Sequence, residues 1–338
     1  MRPFCLFVSL WLAIVPLAHS NICAYGFHAG NSDTIKIHNM MSDFADAKPN
    51  IIILFSNEEN VTTNASQIEA LLDLQNAYGG KGIISLADIA FNRVAPGLAD
   101  CSNYGGGSVT GAQTWQLRSD YQSRLTTFFN NSSKFADFSK VFAISVHEEV
   151  NNDCVKQSEI ESVTNYIKNT LNITTVPLAV GYGDSEWPLG GFDGKDLPIS
   201  FPANTDVIGI WDYGMFNPTD QSDSLNGSSN WDSRWAAIKA KLGTRKAVFA
   251  INSWCISSHE SAGWTPDCYI QEPSVIRDYF RVTPTYYWTL WALQQPEVIA
   301  LIGFEYDFVS GRYVKDMPLH QTWIKNLIKA QNCTYTFP

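Results

Sequence analysis

Eight short apolar runs punctuate this chain of 338 residues, and each ends in polar, acidic or aromatic side chains. They read NICAYGFHAG, NIIILFSNEE, KGIISLADIAF, KVFAISVHEEV, TVPLAVGYGD, DVIGIWDYGMF, KAVFAINSWC and VIALIGFEYDF. Near-continuous apolar strands are those of parallel sheets covered on both faces. Helical patterns lie between most of them, and eight strand-then-helix units are what closure into a (β/α)8 barrel requires. An open doubly wound sheet is the alternative. It has fewer strands as a rule, and no Gly-rich phosphate loop follows the first run here. The expected fold is therefore α/β, a (β/α)8 TIM barrel in one domain over residues 21–338, with its long loops on the C-terminal face.

The intervening patterns fit that layout. Residues 66–77 place Ile68, Leu71, Leu72 and Leu74 among polar neighbours. Residues 157–171 put Ile160, Val163, Tyr166 and Ile167 on one stripe, with Ser158 and Glu161 at capping-box spacing. Residues 231–242 and 320–330 are amphipathic as well. Long connections follow the third, sixth and seventh runs, at 92–113, 216–230 and 256–283. The Gly- and Pro-rich stretch 184–205 predicts a short or missing fifth helix. All of these insertions fall on the face where a barrel carries its site.

The first twenty residues read as a secretory signal: Arg2, an apolar stretch from Phe4 to Ala18, then His19-Ser20. Of the seven cysteines, Cys23, Cys101, Cys154, Cys255, Cys268 and Cys333 remain after its removal. An even number in a secreted chain predicts disulfides. Barrel geometry suggests Cys255–Cys268 within one loop, Cys101–Cys154 across neighbouring upper loops, and Cys23–Cys333 near the lower rim. Asn60, Asn64, Asn130, Asn131, Asn172, Asn226 and Asn332 each open a glycosylation triplet. Secretion and N-glycosylation are thus expected together. The net charge is −10, and −11 once Arg2 leaves with the signal. Such a chain, with no basic patch, is a poor partner for nucleic acid. No later segment reaches the roughly 20 apolar residues of a membrane span.

Carboxylates gather at the ends of the runs: Glu148 and Glu149, Asp184, Asp212, Glu305 and Asp307, with Asp88 after the third. The fourth run is the most informative. Phe142, Ile144 and Val146 suit a helix-facing surface. Alternation then turns Ala143, Ser145, His147 and Glu149 inward, and a bulge at the strand end exchanges Glu149 for Glu148. On the eighth run, Gly303, Glu305 and Asp307 share one parity, with Gly303 leaving room low in the barrel. On the sixth, Asp212 sits between Trp211 and Tyr213. Glycosidic cleavage uses two carboxyl groups, one protonating the leaving oxygen while the other attacks or activates water. The candidates are Glu149 or Glu148 as the acid, with Glu305 first and Asp212 second as the partner. Trp211, Tyr213, Tyr182, Asn252, Trp254 and His147 are candidates for holding sugar hydroxyls and ring faces. No cofactor is expected.

His147-Glu148, or Glu149 one position later, resembles the strand-four end of the secreted TIM-barrel glycoside hydrolases, in the large clan whose acid/base Glu follows a polar residue there. The resemblance implies a carbohydrate substrate and a nucleophilic Glu at the end of strand seven. This chain reads Ile251-Asn252-Ser253-Trp254 at that place, and His147 stands where the clan has Asn. A second hypothesis follows: a lectin-like or structural barrel that retains the groove without the chemistry. A third is a metal-dependent hydrolase using His28, His147 and nearby acids.

Overall fold

All eight runs become strands of one closed parallel barrel. The structure is a computed structural model. It describes residues 24–28, 42, 51–54, 61–77, 79–94, 114–131, 138–151, 153–183, 200–212, 231–252, 292, 294–304, 321–322 and 325–326. In chain order the elements are β1 (Ala24–His28), β2 (Ile51–Leu54), α1 (Val61–Ala77), β3 (Lys81–Ser85), α2 (Ala87–Ala90), β4 (Phe91–Val94), β5 (Thr114–Leu117), α3 (Tyr121–Asn130), β6 (Val141–Ser145), α4 (Gln157–Asn165), β7 (Leu178–Gly183), β8 (Val207–Asp212), α5 (Trp231–Leu242), β9 (Lys246–Asn252) and β10 (Val298–Phe304). Around the barrel the order is β1, β2, β3, β6, β7, β8, β9, β10, and β10 pairs with β1 to close the ring. Barrel strands four, six, seven and eight of the sequence are thus β6, β8, β9 and β10. The antiparallel pair β4–β5 stands outside the ring. It frames a connection that the sequence predicted to be a plain loop.

Two apolar layers hold the barrel. The outer one joins strand residues such as Ile84, Ile144, Val180, Ile210 and Phe249 to helix residues Ile68, Leu72, Leu125, Ile160, Ile167 and Ile238. The inner one packs Ile83, Phe142, Ala143, Ala179, Val207, Val248, Ile299, Ala300 and Ile302 against one another. Each large aliphatic side chain so buried contributes about 1.5–3 kcal/mol. Small residues at the upper inner positions, among them Ala143, Ser145, Gly181 and Gly209, leave a cavity of about 20 Å³, enough for one water.

Bulges change which residues face inward. The β3–β6 register slips between Gly82–Val141 and Ile83–Ala143. The slip turns Phe142, expected on the helix side, into the inner layer. The β9–β10 register slips between Val298 and Ala300, and Ile302 takes the inner position that parity had given to Gly303. The room foreseen at Gly303 is filled by an isoleucine. A shift of one residue exchanges the faces of a strand, so the register argument that favoured Glu305 no longer holds. Glu305 itself lies outside the described residues.

Helix ends follow local chemistry. α4 begins before Ser158, because Glu159 Oε2 accepts from the Lys156 N–H at 3.0 Å. The reciprocal arrangement expected of Ser158 and Glu161 is therefore displaced by two residues. A π-helical turn, Tyr166–Thr170, extends α4, and Asn172 at φ 56° ends it in the left-handed geometry usual after a helix. Of the predicted helix at 320–330, only 321–322 and 325–326 are described, and they are helical. At the N-terminal end of the barrel, Asp206 Oδ2 accepts from the Leu178 N–H (2.8 Å) and pairs with Lys168 Nζ (3.1 Å). There Arg245 Nη2 also donates to the Pro202 carbonyl at 2.9 Å. Polar contacts at that end serve stability rather than chemistry.

Candidate active site

The upper end of β6 breaks its own register, and that break places the glutamates. Pairing with β7 continues past Ser145: Val146 N–H donates to Ala179 O at 2.8 Å, and Gly181 N–H donates to His147 O at 2.9 Å. In a regular parallel ladder the Gly181 N–H would donate to Val146 O, one residue earlier, and residue 148 would donate next to Gly181 O. Val150 does so instead, at 3.0 Å. Two residues are therefore inserted between Val146 and Val150, an irregular β-bulge of the kind that re-aims side chains beside functional sites. Glu149 absorbs it at φ 50°, a conformation costing on the order of 1–3 kcal/mol for a non-glycine residue.

The bulge is tied down on every side. Asn151, buried, spends its side-chain amide on β7: Nδ2 donates to Gly183 O (2.6 Å) and Oδ1 accepts from Gly183 N–H (2.8 Å). The carbonyls that leave the ladder find other donors. Glu148 O accepts from His147 Nδ1 at 2.6 Å, and Glu149 O accepts from Asp153 N–H at 2.9 Å. Asp153 O in turn accepts from Trp115 N–H of β5 at 3.0 Å. Cys154 follows at φ 56° and is disulfide-bonded; its partner lies outside the described residues.

Four carboxyl groups share this corner. Glu148 sits by Ser85, which tops β3 at the inward parity of Ile83 and pairs in register with Ser145. Burial pushes the Glu148 carboxyl well above its ordinary value. The charges of Glu149, Asp153 and Asp88 push the same way, and the Ser85 hydroxyl partly opposes them. Among the described residues, its Oε1 is enclosed without a hydrogen-bond partner. Asp153 is raised to about 8 by burial and by Glu149, against the pull of Arg93. The Arg93 guanidinium lies 5.0 Å from the Trp115 ring centre. At neutral pH Asp153 thus holds its proton, and burial pushes Glu148 toward the protonated form required of a general acid.

His147 is not on an open sugar-binding surface, contrary to expectation. It is 1% exposed and meets the rings of Phe91 (5.0 Å) and Trp115 (5.3 Å) edge-on. Burial lowers its pKa to about 4, partly offset by the bond to the Glu148 carbonyl. The ring is neutral at pH 7. Because a carbonyl only accepts, Nδ1 carries the proton, and Nε2 is left as a buried acceptor without a partner among the described residues. Tyr182 is a second correction. It is 1% exposed and packs on Phe201 in the outer layer, out of reach of any ligand in the mouth. Its parity is that of Val180, whereas Ala179 faces inward.

Of Trp211, Asp212 and Asn252 the structure describes the backbone. Asp212 ends β8 opposite Ile251, and Asn252 ends β9. Asn252 and Trp211 share the parities of the inner residues Val248 and Val207. Asp212 shares that of Ile208 and Ile210, which belong to the outer layer. Tyr213, Trp254 and Glu305 lie outside the described residues, as do Asp184 and Asp307. The structure therefore unites Glu148, Glu149, His147 and Asp88, and adds Asp153, Ser85, Arg93 and Trp115, which sequence reasoning missed. The signal for Asp153 was slight: an acid next to a cysteine in the loop after the fourth strand. Among the described residues, no three His, Cys, Asp or Glu side chains converge as a metal site.

Solved structures of TIM-barrel glycoside hydrolases share this closed parallel fold. One is a GH113 β-1,4-mannanase, at 12% identity and TM-score 0.53, covering 92% of this chain and 99% of that one. Another is the endo-1,4-β-mannanase of Rhizomucor miehei, at 10% identity and TM-score 0.53, covering 92% and 96%. A third is the GH113 β-mannanase AaManA of Alicyclobacillus acidocaldarius, solved with ManMIm, at 12% identity and TM-score 0.52, covering 92% and 97%. No family profile and no curated protein sequence matches the chain.

Proposed function

We propose that the chain is a secreted glycoside hydrolase that cleaves a polysaccharide or glycan with two carboxyl groups, and that Glu148 is its acid. One observation carries this reading. The Glu148 carboxyl is buried among acids at the upper end of β6, where a barrel enzyme keeps its catalytic groups, and that setting pushes its pKa well above the ordinary value. The rest of the proposed architecture is a single (β/α)8 domain over residues 21–338, whose long connections wall a groove on the same face. Residues 1–20 act as its export signal, and the exposed Asn130, Asn131 and Asn172 are acceptors for glycan.

In this mechanism Glu148 gives its proton to the glycosidic oxygen as the bond to the sugar breaks. A second carboxylate, from β8 or from the end of β10, then attacks the anomeric carbon or takes a proton from water. Glu149 stays on the loop as an electrostatic neighbour that keeps Glu148 protonated. The mannanases that share the fold make β-1,4-mannan the first substrate to try. Glu148→Gln should lower kcat by about 10²–10⁴, and Glu149→Gln should lower it less. With wild-type enzyme, kcat/KM should hold through the ordinary glutamate range and fall only at higher pH, as Glu148 loses its proton. Full activity in Glu148→Gln would remove Glu148 from the mechanism. A glycan bound but never cleaved favours the lectin-like reading, which the absence of a carboxylate in Ile251-Asn252-Ser253-Trp254 also supports.

A further inference from the structure

Resting on that reading, we propose that His147 is a positioning residue: it latches the β6 bulge through Nδ1 and so aims Glu148, and the β4–β5 hairpin is the clamp that holds the latch. The argument begins with backbone accounting. A bulge leaves a carbonyl without its ladder donor, and a buried, unpaired carbonyl is costly. One such stranded group here is Glu148 O, and its donor is the side chain of the residue immediately before it. The ring that donates cannot turn away, because Phe91 and Trp115 close on it edge-on from the two strands of the hairpin. The same hairpin holds the far side of the bulge through Trp115 N–H to Asp153 O (3.0 Å) and anchors to α4 through Leu117 N–H to Glu159 Oε1 (3.2 Å). The bulge, the histidine and the hairpin therefore form one device. Without the Nδ1 bond, the register that turns Glu148 toward Ser85 loses a tie at its first residue.

The charged and titratable groups around Glu148 are Asp88 from α2, Glu149 and Asp153 from the same loop, and Arg93 of β4, which acts on Asp153. A neutral ring adds no cation to this set, so the latch leaves the acid protonated. An imidazolium in the same place would draw the proton off.

Substitutions separate the two ring nitrogens. The Asn amide nitrogen falls near the place of Nδ1, and the Gln amide nitrogen nearer that of Nε2. His147→Phe retains the ring packing and removes both. The measurements are the tautomer of His147 by nitrogen NMR in the wild-type protein, the titration of the Glu148 carboxyl by carbon NMR in all four proteins, and turnover on a cleaved glycan. The wild-type ring should be the Nδ1–H tautomer and stay neutral down to about pH 4. In His147→Phe and His147→Gln the Glu148 midpoint should fall by about a unit as the carboxyl meets water. Turnover should fall about a hundredfold, as for a catalytic group displaced by about an ångström, with KM within about twofold. His147→Asn should restore both. An Nε2–H tautomer, a ring titrating near its ordinary 6.5, or an unchanged Glu148 midpoint in His147→Phe overturns the latch. If no glycan is cleaved by any of the proteins, the hydrolase reading fails, and the tautomer and the midpoints still decide the latch.

Discussion

Burial at this site acts in opposite directions on neighbouring residues, and the sign of each shift fixes how stability depends on pH. Asp153 is raised from 3.8 to about 8, so the native state holds a proton that the unfolded chain releases. Its contribution is complete below 3.8 and is lost as pH climbs through 8. His147 is lowered from 6.5 to about 4, and its contribution is lost as pH falls from 6.5 toward 4. Between about 4 and 6.5 the two oppose each other. Above 6.5 Asp153 acts without that opposition. The melting temperature should therefore drop between pH 6.5 and 8, and Asp153→Asn should make that slope shallower. An identical slope in the variant would show that Asp153 ionises there without strain. The sequence displayed the Glu148-Glu149 pair, and alternation reduced the question to which of the two faces the mouth. Alternation counts residues, however, and inserted residues defeat the count. What selects Glu148 is a left-handed Glu149 and a side-chain donor at His147, neither of which has a periodic signature.

At the scale of elements, the loop after β6 works because Asn151 repairs the pairing that the bulge interrupts. Its amide stands in for a peptide group and makes both hydrogen bonds to Gly183. Asn151→Ala leaves the Gly183 N–H and carbonyl unpaired in a buried place, at a cost of about 1–3 kcal/mol per group. Denaturant melts should show that loss, and Glu148 should titrate lower because its support has loosened. A variant as stable as wild type would mean that the end of β7 finds other partners. The hairpin was the element least legible in the sequence. Phe91–Val94 and Thr114–Leu117 are four residues each, too short to show a period, and nineteen residues separate them. The helices were more legible. α5 coincides with the amphipathic stretch 231–242, and α4 starts at Gln157 as the stretch 157–171 does, with Glu159 capping the Lys156 N–H in place of the pair Ser158 and Glu161.

For the whole molecule, an alternation of eight apolar runs with helices was enough to imply closure, because parallel strands covered on both faces have few other arrangements. Inward facing was less legible, since the slips at β6 and β10 each move a face by one residue. Long-range partners were not legible at all. Cys154 is disulfide-bonded, and pairing with Cys101 would fasten the bulge loop to the connection framed by β4 and β5. Non-reducing peptide mapping should find Cys101 joined to Cys154, and a Cys23–Cys154 or Cys154–Cys333 peptide would refute that pairing. The second carboxylate poses the same kind of problem across the barrel. β10 stands opposite β6 in the ring of eight, and β8 is two places away, so either strand can present an acid across the mouth. Parity favours neither: Ile302 is inward where Gly303 was expected, and Asp212 shares the parity of outward Ile210. Irregular strand ends decide such cases, as they do at Glu148. Glu305→Gln and Asp212→Asn should therefore be compared on a glycan that Glu148→Gln fails to cleave. One of them should lower kcat by about 10²–10⁴ at an unchanged melting temperature, and the other should not. If both retain full activity, Glu148 has no carboxylate partner on β8 or β10, and the two-carboxylate mechanism proposed here is wrong.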